Sequence, residues 1–288
     1  MRILVTGGRG FLGRRLMPLL AGHDVMSLVR SAEGSAPNVR EVVGNLTCDG
    51  QWQEDVAAFC PDWCLHLAWD GLPDYSLRRC RVNVDASLGL FETLVKAKVS
   101  RVVVAGSCWE YGRAAGAVRE DALPVDIGVF AAAKQAIRTM LDGVAREAGF
   151  GYRWARIFFA FGPGQRGSSL VPHLRAAARA GRMPELRTPE AVMDFVHVDD
   201  VARGLLRLAE CDAPSGIFNL GSGGPTSVGE IANRVARYYG QSAPFAEASG
   251  GEGFWADTSA TTAASGWRPE IAIGEGVESM LRTMDATR

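Results

Sequence analysis

A glycine-rich segment near the start of the chain places the strongest limit on its fold. Residues 2–6 form a short apolar run typical of a buried strand, and the segment TGGRGFLG at residues 6–13 continues directly from it. Glycine at positions 7, 10 and 13 allows a tight turn, a close approach of the backbone to a pyrophosphate, and close packing of a helix on the strand. The free amides of that helix then face the phosphates. The segment therefore predicts a strand, a turn and a helix that bind a dinucleotide.

Strand and helix patterns alternate through the first half of the chain. Further apolar runs predict strands over 24–29, 64–68, 101–105 and 153–158, and helical patterns cover 11–21, 85–98, 130–148, 170–180, 198–209 and 227–239. Strands separated by helix-length segments pair in parallel with right-handed crossovers. We therefore expect an α/β fold with a doubly wound parallel sheet, a Rossmann domain, over 1–160. Residues 161–288 are expected to form mostly a smaller C-terminal substrate-binding lobe, with some segments that return to the first domain.

Charge and cysteine content argue against several classes of protein. A formal net charge of −1 over 288 residues leaves no broad basic field, so we expect neither nucleic-acid binding nor attachment to an acidic membrane. No apolar stretch reaches the roughly 18 residues that span a bilayer, and the first residues do not resemble a signal peptide. The six cysteines are scattered, with no CxxC pair, which indicates reduced thiols and no metal site. We expect a cytoplasmic protein.

The end of the second predicted strand bears on the choice of dinucleotide. An NAD site of this kind usually has an acidic residue about 20 residues after the glycines, where it accepts hydrogen bonds from the ribose. This chain has Leu28-Val29-Arg30-Ser31 there, with no acid. A guanidinium at Arg30, joined by Arg9 in the glycine turn, suits a 2′-phosphate. The sequence therefore favours NADP(H) over NAD(H), the alternative being that Arg30 is an ordinary solvated charge.

Several motifs follow one another in a familiar order. They are TGGRGFLG at 6–13, LHLA at 65–68, VAGSCWEYG at 104–112, GPG at 162–164, DFVHVDDVA at 194–202, and DTS at 257–259 followed by GW at 266–267. In this order they resemble the extended short-chain dehydrogenase/reductases, the nucleotide-sugar epimerase/dehydratase group. The resemblance covers nearly the whole chain. It implies a nicotinamide-dependent enzyme that acts on a nucleoside-diphosphate sugar, whose nucleotide is held by the C-terminal lobe.

The resemblance also assigns roles to individual residues. It makes Ser107 and Lys134 catalytic, because the serine steadies the substrate oxygen and the lysine bonds the nicotinamide ribose. The positions implied for cofactor binding are Gly7, Arg9, Gly10, Phe11, Leu12, Gly13, Arg30, Leu46, Ala68, Ser107 and Lys134. The positions implied for substrate binding are Cys108, Trp109, Phe130, Arg166 and Arg187.

The family's catalytic tyrosine is missing. In the family a Tyr and a Lys lie about one turn apart on one helix, and here that stretch reads Phe130-Ala131-Ala132-Ala133-Lys134. None of the five tyrosines has a lysine four residues later. Phenylalanine cannot move a proton, and loss of a positioned acid or base costs roughly 10²–10⁴-fold in rate. The candidates for a replacement are Cys108, Tyr111, Tyr75, Lys134 and a water held by Ser107, and the sequence does not choose among them.

Other departures narrow the chemistry. Cys108 and Trp109 stand where the family's 4,6-dehydratases have an Asp and a Glu, which argues against elimination of water. Phe159 stands where the family often has an Asn that contacts the sugar, and Met193 where it often has an Arg for the nucleotide phosphates. Arg156, Arg166 and Arg187 remain as candidate partners of the diphosphate.

Three functions are consistent with these features. The first is NADPH-dependent reduction of a 4-keto nucleotide sugar, towards a deoxysugar or a surface polysaccharide, because reduction needs only a proton source. The second is a nucleotide-sugar epimerase with a tightly bound cofactor, and the third is a non-catalytic NADP(H)-binding regulatory protein. In the resembled family the helices that match 85–98 and 130–148 pair with a second subunit, so we also expect a homodimer.

Overall fold

The computed structural model describes residues 1–34, 38–182, 186–245 and 251–286. Its strands are β1 Arg2–Thr6, β2 Asp24–Val29, β3 Val39–Val43, β4 Trp63–His66, β5 Arg101–Ser107, β6 Gly116–Val118, β7 Gly151–Ile157, β8 Phe159–Phe161, β9 Val192–Met193, β10 Phe195–His197, β11 Gly216–Leu220, β12 Thr226–Ser227 and β13 Gly253–Ala256. Its α-helices are α1 Gly13–Leu16, α2 Gln51–Phe59, α3 Leu77–Lys96, α4 Val129–Ala148, α5 Leu170–Arg179, α6 Val198–Glu210, α7 Val228–Tyr238, α8 Ser259–Ser265 and α9 Ile273–Ala286.

Seven parallel strands form the main sheet, in the order β3-β2-β1-β4-β5-β7-β11. The chain winds outward from β1 in one direction through β2 and β3, and in the other through β4, β5 and β7. The order reverses between β1 and β4, and in open α/β sheets ligands bind beyond the carboxyl ends of the strands at such a switch point. The doubly wound Rossmann fold expected from the sequence is confirmed.

Helices cover both faces of this sheet, as its apolar strands require. On one face α2, α3 and α4 contribute Trp52, Leu90, Phe91, Ile137 and Leu141 to a core that includes strand residues of β1, β2, β4, β5 and β7. On the other face the short α1 and the long α6 pack on a second core. The strands therefore hold their carboxyl ends in fixed relative positions.

The C-terminal part of the chain builds a second, smaller core. Apolar residues of α5, α7 and α9 pack together with Phe161 and Phe195. Two small sheets accompany them, a pair of parallel strands β8 and β10 and a four-stranded sheet in the order β12-β9-β13-β6. Not every late element belongs to this lobe, because β11 joins the main sheet beside β7 and α6 packs beneath it.

Buried carboxylates join these late segments to one another. Asp194 accepts hydrogen bonds from the amides of Ser222, Gly223 and Ala256 at 2.5, 3.0 and 3.0 Å. Asp200, at the start of α6, accepts from the amides of Glu270 and Ile271 at 2.9 and 3.0 Å. Charge-assisted hydrogen bonds of this kind are about twice as strong as neutral ones. They hold the loops around the second lobe without regular secondary structure.

Two helix predictions differ from the structure. The helix expected at 85–98 begins eight residues earlier, at Leu77, because the Ser76 hydroxyl caps it by accepting from the amide of Arg79 at 3.3 Å. The helix expected at 11–21 is broken into α1 and a 3₁₀ turn over Met17–Leu20, because Pro18 lies at the start of that turn and lacks an amide donor.

Within the described residues, no helix combines the length and the apolar composition needed to cross a bilayer. In the same part of the chain, no group of three or more His, Cys, Asp or Glu side chains is arranged to hold a metal ion.

Candidate active site

The glycine turn at the end of β1 has the geometry that its sequence predicts. Gly7 has a φ of +74°, and its carbonyl accepts from the amide of Gly10 at 2.9 Å. A Cβ at Gly7 would lie 2.8 Å from the backbone nitrogen of Ala68, and one at Gly13 would lie 2.2 Å from the carbonyl oxygen of Gly7. Real side chains do not tolerate such contacts, so both positions need glycine. The turn therefore packs directly against the end of β4 and offers its backbone to a ligand.

A buried chain of hydrogen bonds joins β1, β4 and α3 beneath this turn. The Ser87 hydroxyl donates to the carbonyl of Asn83 at 2.7 Å, so its oxygen accepts from Nε2 of His66 at 3.2 Å. Nδ1 of His66 then accepts from the Thr6 hydroxyl at 2.7 Å. Burial, with a smaller contribution from the Lys134 charge, lowers the pKa of His66 to about 3. The neutral imidazole thus positions Thr6, which also accepts from the amide of Ala68 at 3.4 Å.

Two arginines meet at the end of β2. Arg9 reaches back from the glycine turn and donates to the carbonyl of Ser31 at 2.6 Å, with Glu41 and Glu33 also within ion-pair distance of its guanidinium. Arg30 is 80% exposed and donates to Asp70 at 3.2 Å. Both arginines therefore lie where an adenosine ribose is expected, and each is paired with at least one carboxylate.

Lys134 is the buried cation of the site. Its ammonium donates to the carbonyl of Ala105 at 2.7 Å and lies 4.4 Å from the ring centre of Trp69. The side chain is only 7% exposed, and burial lowers its pKa to about 8, opposed by the nearby negative charge of Glu110. An ammonium has three donors, and the Ala105 carbonyl occupies one. The remaining donors suit the hydroxyls of a ribose.

Ser107 ends β5 two residues beyond that carbonyl. Its side-chain oxygen accepts from the amide of Trp109 at 3.2 Å, which leaves the hydroxyl proton available for a substrate oxygen. The amide of Ser107 donates to the buried carboxylate of Glu110 at 2.8 Å, and that carboxylate also accepts from Trp154 at 2.9 Å and from Arg156 at 3.3 Å. This network holds the end of β5 rigidly.

Phe130 lies in the cleft beside Lys134, surrounded by other aromatic rings. Its ring centre is 4.9 Å from that of Trp69, 5.1 Å from that of Tyr75 and 5.7 Å from that of Trp109. The cleft has a volume of about 360 Å³ and is lined by Tyr75, Trp109, Gly112, Gly128, Val129, Phe130 and Ala131. The part of the cleft where the family's catalytic phenol is expected is thus apolar.

Two of the candidate proton donors do not face this cleft. Cys108 is 2% exposed and packs in the core, and burial raises the pKa of its thiol, so it neither contacts a ligand in the cleft nor ionises readily. This corrects the prediction that Cys108 contacts substrate. The phenol of Tyr111 is buried and donates to Asn219 at 2.6 Å, and burial raises its pKa to about 12. Tyr111 therefore has a structural role.

The remaining predicted residues lie at varied positions. Phe11 and Leu12 are partly buried at the start of the first helix, Leu46 lies after β3, and Ala68 lies after β4. Arg166 and Arg187 are both exposed, after β8 and before β9 respectively. The structure therefore brings the glycine turn, Ala68, Ser107 and Lys134 to the carboxyl edge of the sheet and leaves the two arginines on the C-terminal lobe.

Trp69 is a site residue that the sequence analysis missed. Its indole ring packs on Lys134 and Phe130, and its Nε1 is buried without a hydrogen-bond partner in the part of the chain that the structure describes. A buried donor without a partner costs free energy unless a ligand satisfies it. The feature of the sequence that could have indicated Trp69 is its position just after β4, at the switch point of the sheet.

A second cleft lies in the C-terminal lobe. It has a volume of about 320 Å³ and is lined mostly by apolar residues, namely Phe159, Ala160, Phe161, Gln165, Leu170, Val171, Met193, Phe195 and Val228. The Gln165 amide nitrogen donates to the carbonyl of Ala160 at 3.1 Å. Its Oε1 is buried and unpaired among the described residues. Among the described side chains, this apolar lining therefore includes one unpaired hydrogen-bond acceptor, on Gln165.

Comparison with known proteins identifies the family. The model of the NAD-dependent epimerase/dehydratase family matches residues 3–221. The chain belongs to this family. A UDP-glucose 4-epimerase of Neisseria meningitidis serogroup B is 27% identical over 335 residues, covering 98% of this chain and 96% of the relative. A dTDP-4-dehydro-6-deoxyglucose reductase of Escherichia coli is 21% identical over 307 residues, covering 98% and 97%.

Solved structures agree with this assignment. The structure of MoeE5 in complex with UDP-glucuronic acid and NAD is similar to this chain with a TM-score of 0.86 and 27% identity, over 100% of both chains. As a member of the NAD-dependent epimerase/dehydratase family, the protein is expected to hold a nicotinamide dinucleotide. Its residues fit that group, because the glycine turn leaves its backbone open and Trp69 and Lys134 have donors to spare.

The buried His66 predicts an acid-sensitive fold. Its pKa is about 3 in the folded protein against an ordinary value of 6.5, so between these values the unfolded chain binds the extra proton. The free energy of unfolding should therefore fall as the pH is lowered from about 6.5, by up to about 1.4 kcal/mol per pH unit from this residue. Urea unfolding between about pH 7 and about pH 5 should show a shallower pH dependence for His66→Gln than for the wild type. The exposed His173→Gln is the control, and equal slopes for all three proteins would contradict the prediction.

Proposed function

We propose that the protein is an NADPH-dependent reductase of a 4-keto nucleoside-diphosphate sugar. The observation that carries the proposal is Phe130 in the lining of a cleft next to Lys134, whose ammonium lies 6.0 Å from the centre of the Phe130 ring. Oxidation of a sugar hydroxyl needs a base, and none of the described residues that line this cleft is a carboxylate or an imidazole. Reduction needs only a hydrogen-bond donor that gives up a proton. Similarity to a reductase of a 4-dehydro sugar nucleotide supports the same direction.

The cofactor would bind along the carboxyl edge of the sheet. When bound, a reduced nicotinamide supplies a hydride. The glycine turn would receive the pyrophosphate, while Lys134 and Trp69 would donate to the ribose and nicotinamide end. Ser107 would hold the carbonyl oxygen of the substrate through its free hydroxyl proton. These residues bind and orient, and their rigid supports limit the motion of the reacting groups.

We infer a preference for NADP(H) from the two arginines at the end of β2. The bond from Arg9 to the carbonyl of Ser31 places its guanidinium next to the backbone of Arg30. The exposed Arg30 shares Asp70 with Arg79, which lies 2.5 Å from that carboxylate, so Asp70 keeps a partner when Arg30 turns to a phosphate. A 2′-phosphate would bond such guanidiniums more strongly than a neutral ribose hydroxyl does.

The cofactor preference can be measured directly. NADP⁺ should bind to the wild type with a lower dissociation constant than NAD⁺, and Arg30→Ala should weaken NADP⁺ binding by about 10- to 100-fold, the cost of a charged hydrogen bond. Binding of NAD⁺ should change little. The control is Arg14→Ala, an exposed arginine on α1. A wild type that binds NAD⁺ more tightly would overturn the preference.

We infer that the nucleotide of the substrate binds in the second cleft. A nucleobase is flat and carries N–H groups, which match the apolar walls and the unpaired Oε1 of Gln165. Arg166 follows this residue directly and is exposed, so it is available to the diphosphate. Phe159 and Met193 supply surface to this cleft but no charge. UDP sugars occupy structural neighbours such as MoeE5.

Turnover distinguishes the reductase from its alternatives. Incubation of the wild type with NADPH and a panel of 4-keto nucleotide sugars should consume one NADPH for each alcohol formed. The loss of near-ultraviolet absorbance measures the NADPH consumed, and NMR identifies the product. A cofactor that co-purifies, with inversion at one sugar carbon and no net consumption, would instead support an epimerase. Clear NADP(H) binding with no turnover on the panel would support a non-catalytic binding protein.

We further propose that the protein forms a homodimer through the outer faces of α3 and α4. On α4 the exposed Ala132, Ala136 and Met140 lie on one face, and Gly143 beside them has open space at its Cβ position. On α3, Gly89 likewise has open space and Val95 is exposed. Small residues on two adjacent helices allow close packing against the same surface of a second copy.

The homodimer can be tested by light scattering on the purified protein. One chain has a mass of 30.8 kDa, and the wild type should have twice that mass. Ala136→Arg should yield monomers because it puts a charge and a long side chain into the contact. The control is Ala148→Arg, an exposed alanine at the end of α4. A monomeric wild type, or an Ala136→Arg variant that stays dimeric, would contradict the proposal.

A further inference from the structure

The proposed reduction leaves an oxygen that must receive a proton, and Phe130 cannot supply one. We propose that Tyr75 supplies this proton, from a loop outside the helix that carries Phe130 and Lys134. The inference rests on the proposed function. It assigns the acid role to a residue that no motif of the chain marks.

Tyr75 is in direct contact with the position where a phenol is missing. Its ring centre is 5.1 Å from that of Phe130, at an interplanar angle of 67°, and 5.1 Å from that of Trp109. All three rings line the cleft of about 360 Å³. The hydroxyl of a tyrosine lies at the end of its ring, so a ring that contacts Phe130 in the same lining keeps a phenol beside the position where one is missing. Among the described residues that line this cleft, Tyr75 has the one side-chain hydroxyl.

The loop that carries Tyr75 is held at both ends. Asn83 on α3 accepts from the amide of Asp70 at 2.6 Å and donates to its carbonyl at 3.0 Å. Arg79 donates to the carboxylate of Asp70 at 2.5 Å, and Ser76, the next residue after Tyr75, caps α3. A loop tied to a helix on both sides places its side chain with the precision that proton transfer requires.

The other candidates are already engaged elsewhere. The thiol of Cys108 is in the core, and the phenol of Tyr111 donates to Asn219. The ammonium of Lys134 donates to the carbonyl of Ala105, and its remaining donors are assigned to the ribose of the cofactor. Ser107 has a free proton but is a far weaker acid than a phenol, so its role is to orient the substrate oxygen.

Atoms and electrons balance in the proposed reduction. The carbonyl carbon of the substrate gains a hydrogen with its electron pair from the reduced nicotinamide, and the π electrons of the C=O bond move to oxygen. That oxygen forms an O–H bond with the proton of Tyr75, so the substrate is reduced to an alcohol and the cofactor is oxidised. The phenolate of Tyr75 then regains a proton from water, which its 37% exposure permits.

Removal of the Tyr75 hydroxyl alone tests this role. Tyr75→Phe should lower kcat for NADPH-dependent reduction by roughly 10²–10⁴-fold, the usual cost of losing a positioned acid, while the dissociation constant for NADP⁺ stays unchanged. Tyr238→Phe on α7, the same change far from the cleft, should leave kcat as in the wild type. Adding Phe130→Tyr to Tyr75→Phe should recover part of the loss, because it returns a phenol to the cleft. A Tyr75→Phe variant with wild-type kcat would overturn the proposal.

A measurement without turnover separates this inference from the reaction itself. Nitration of tyrosines by tetranitromethane, located by peptide mass spectrometry, should modify Tyr75 in the free protein and be suppressed when NADP⁺ is bound. Tyr238 should react equally with and without NADP⁺. Equal nitration of Tyr75 in both states would overturn the assignment, whatever the turnover. Protection of Tyr75 together with a wild type that reduces no ketone on the panel would overturn the proposed function and leave Tyr75 placed beside the cofactor.

Discussion

The close approach of the glycine turn to the end of β4 is the constraint on which the site depends. Gly7 packs so tightly on Ala68 that a single methyl group would separate the two strand ends. Beneath this contact, Thr6, His66 and Ser87 form a buried hydrogen-bond chain that crosses from β1 through β4 to α3. The turn, the segment after β4 and α3 are therefore joined by close packing and by hydrogen bonds. Cofactor and substrate would meet at this junction, because the loop with Tyr75 joins β4 to α3.

The burial of Lys134 shows which forces shape the reacting end of the cleft. Burying an ammonium costs several kcal/mol unless hydrogen bonds and opposite charge offset the lost hydration. Here one carbonyl, the face of Trp69 and the charge of Glu110 offset part of that cost, and the lowered pKa of about 8 shows that burial still dominates. Trp69 also keeps a buried donor without a partner among the described residues. Unsatisfied polar groups of this kind store free energy that a bound ligand releases.

The aromatic rings around Phe130 change what the cleft can do. A phenol at position 130 would give the lysine a direct partner in proton transfer, whereas a phenyl ring offers the ammonium no group that can exchange a proton. Among the residues that the structure describes, this lining includes no carboxylate or imidazole and one hydroxyl, on Tyr75. Such a cleft is suited to giving a proton to an oxygen rather than removing one. The second cleft is likewise apolar, and its described lining includes one unpaired side-chain acceptor, Oε1 of Gln165.

Local rules explain how much could be read from the chain. The glycine spacing, the first two strands and α4 follow from steric limits and from short-range periodicity, so the sequence by itself determined a Rossmann fold. The motifs shared with the family implied the roles of Ser107 and Lys134. Sequence alone could not show that Cys108 points into the core, that Arg9 is already paired with acids, or that β11 returns to the main sheet. These depend on contacts between residues far apart in the chain. Only the tertiary structure decided that Tyr75, Trp109 and Phe130 share one cleft, because the packing of α3 against α4 brings together rings that lie far apart in the chain.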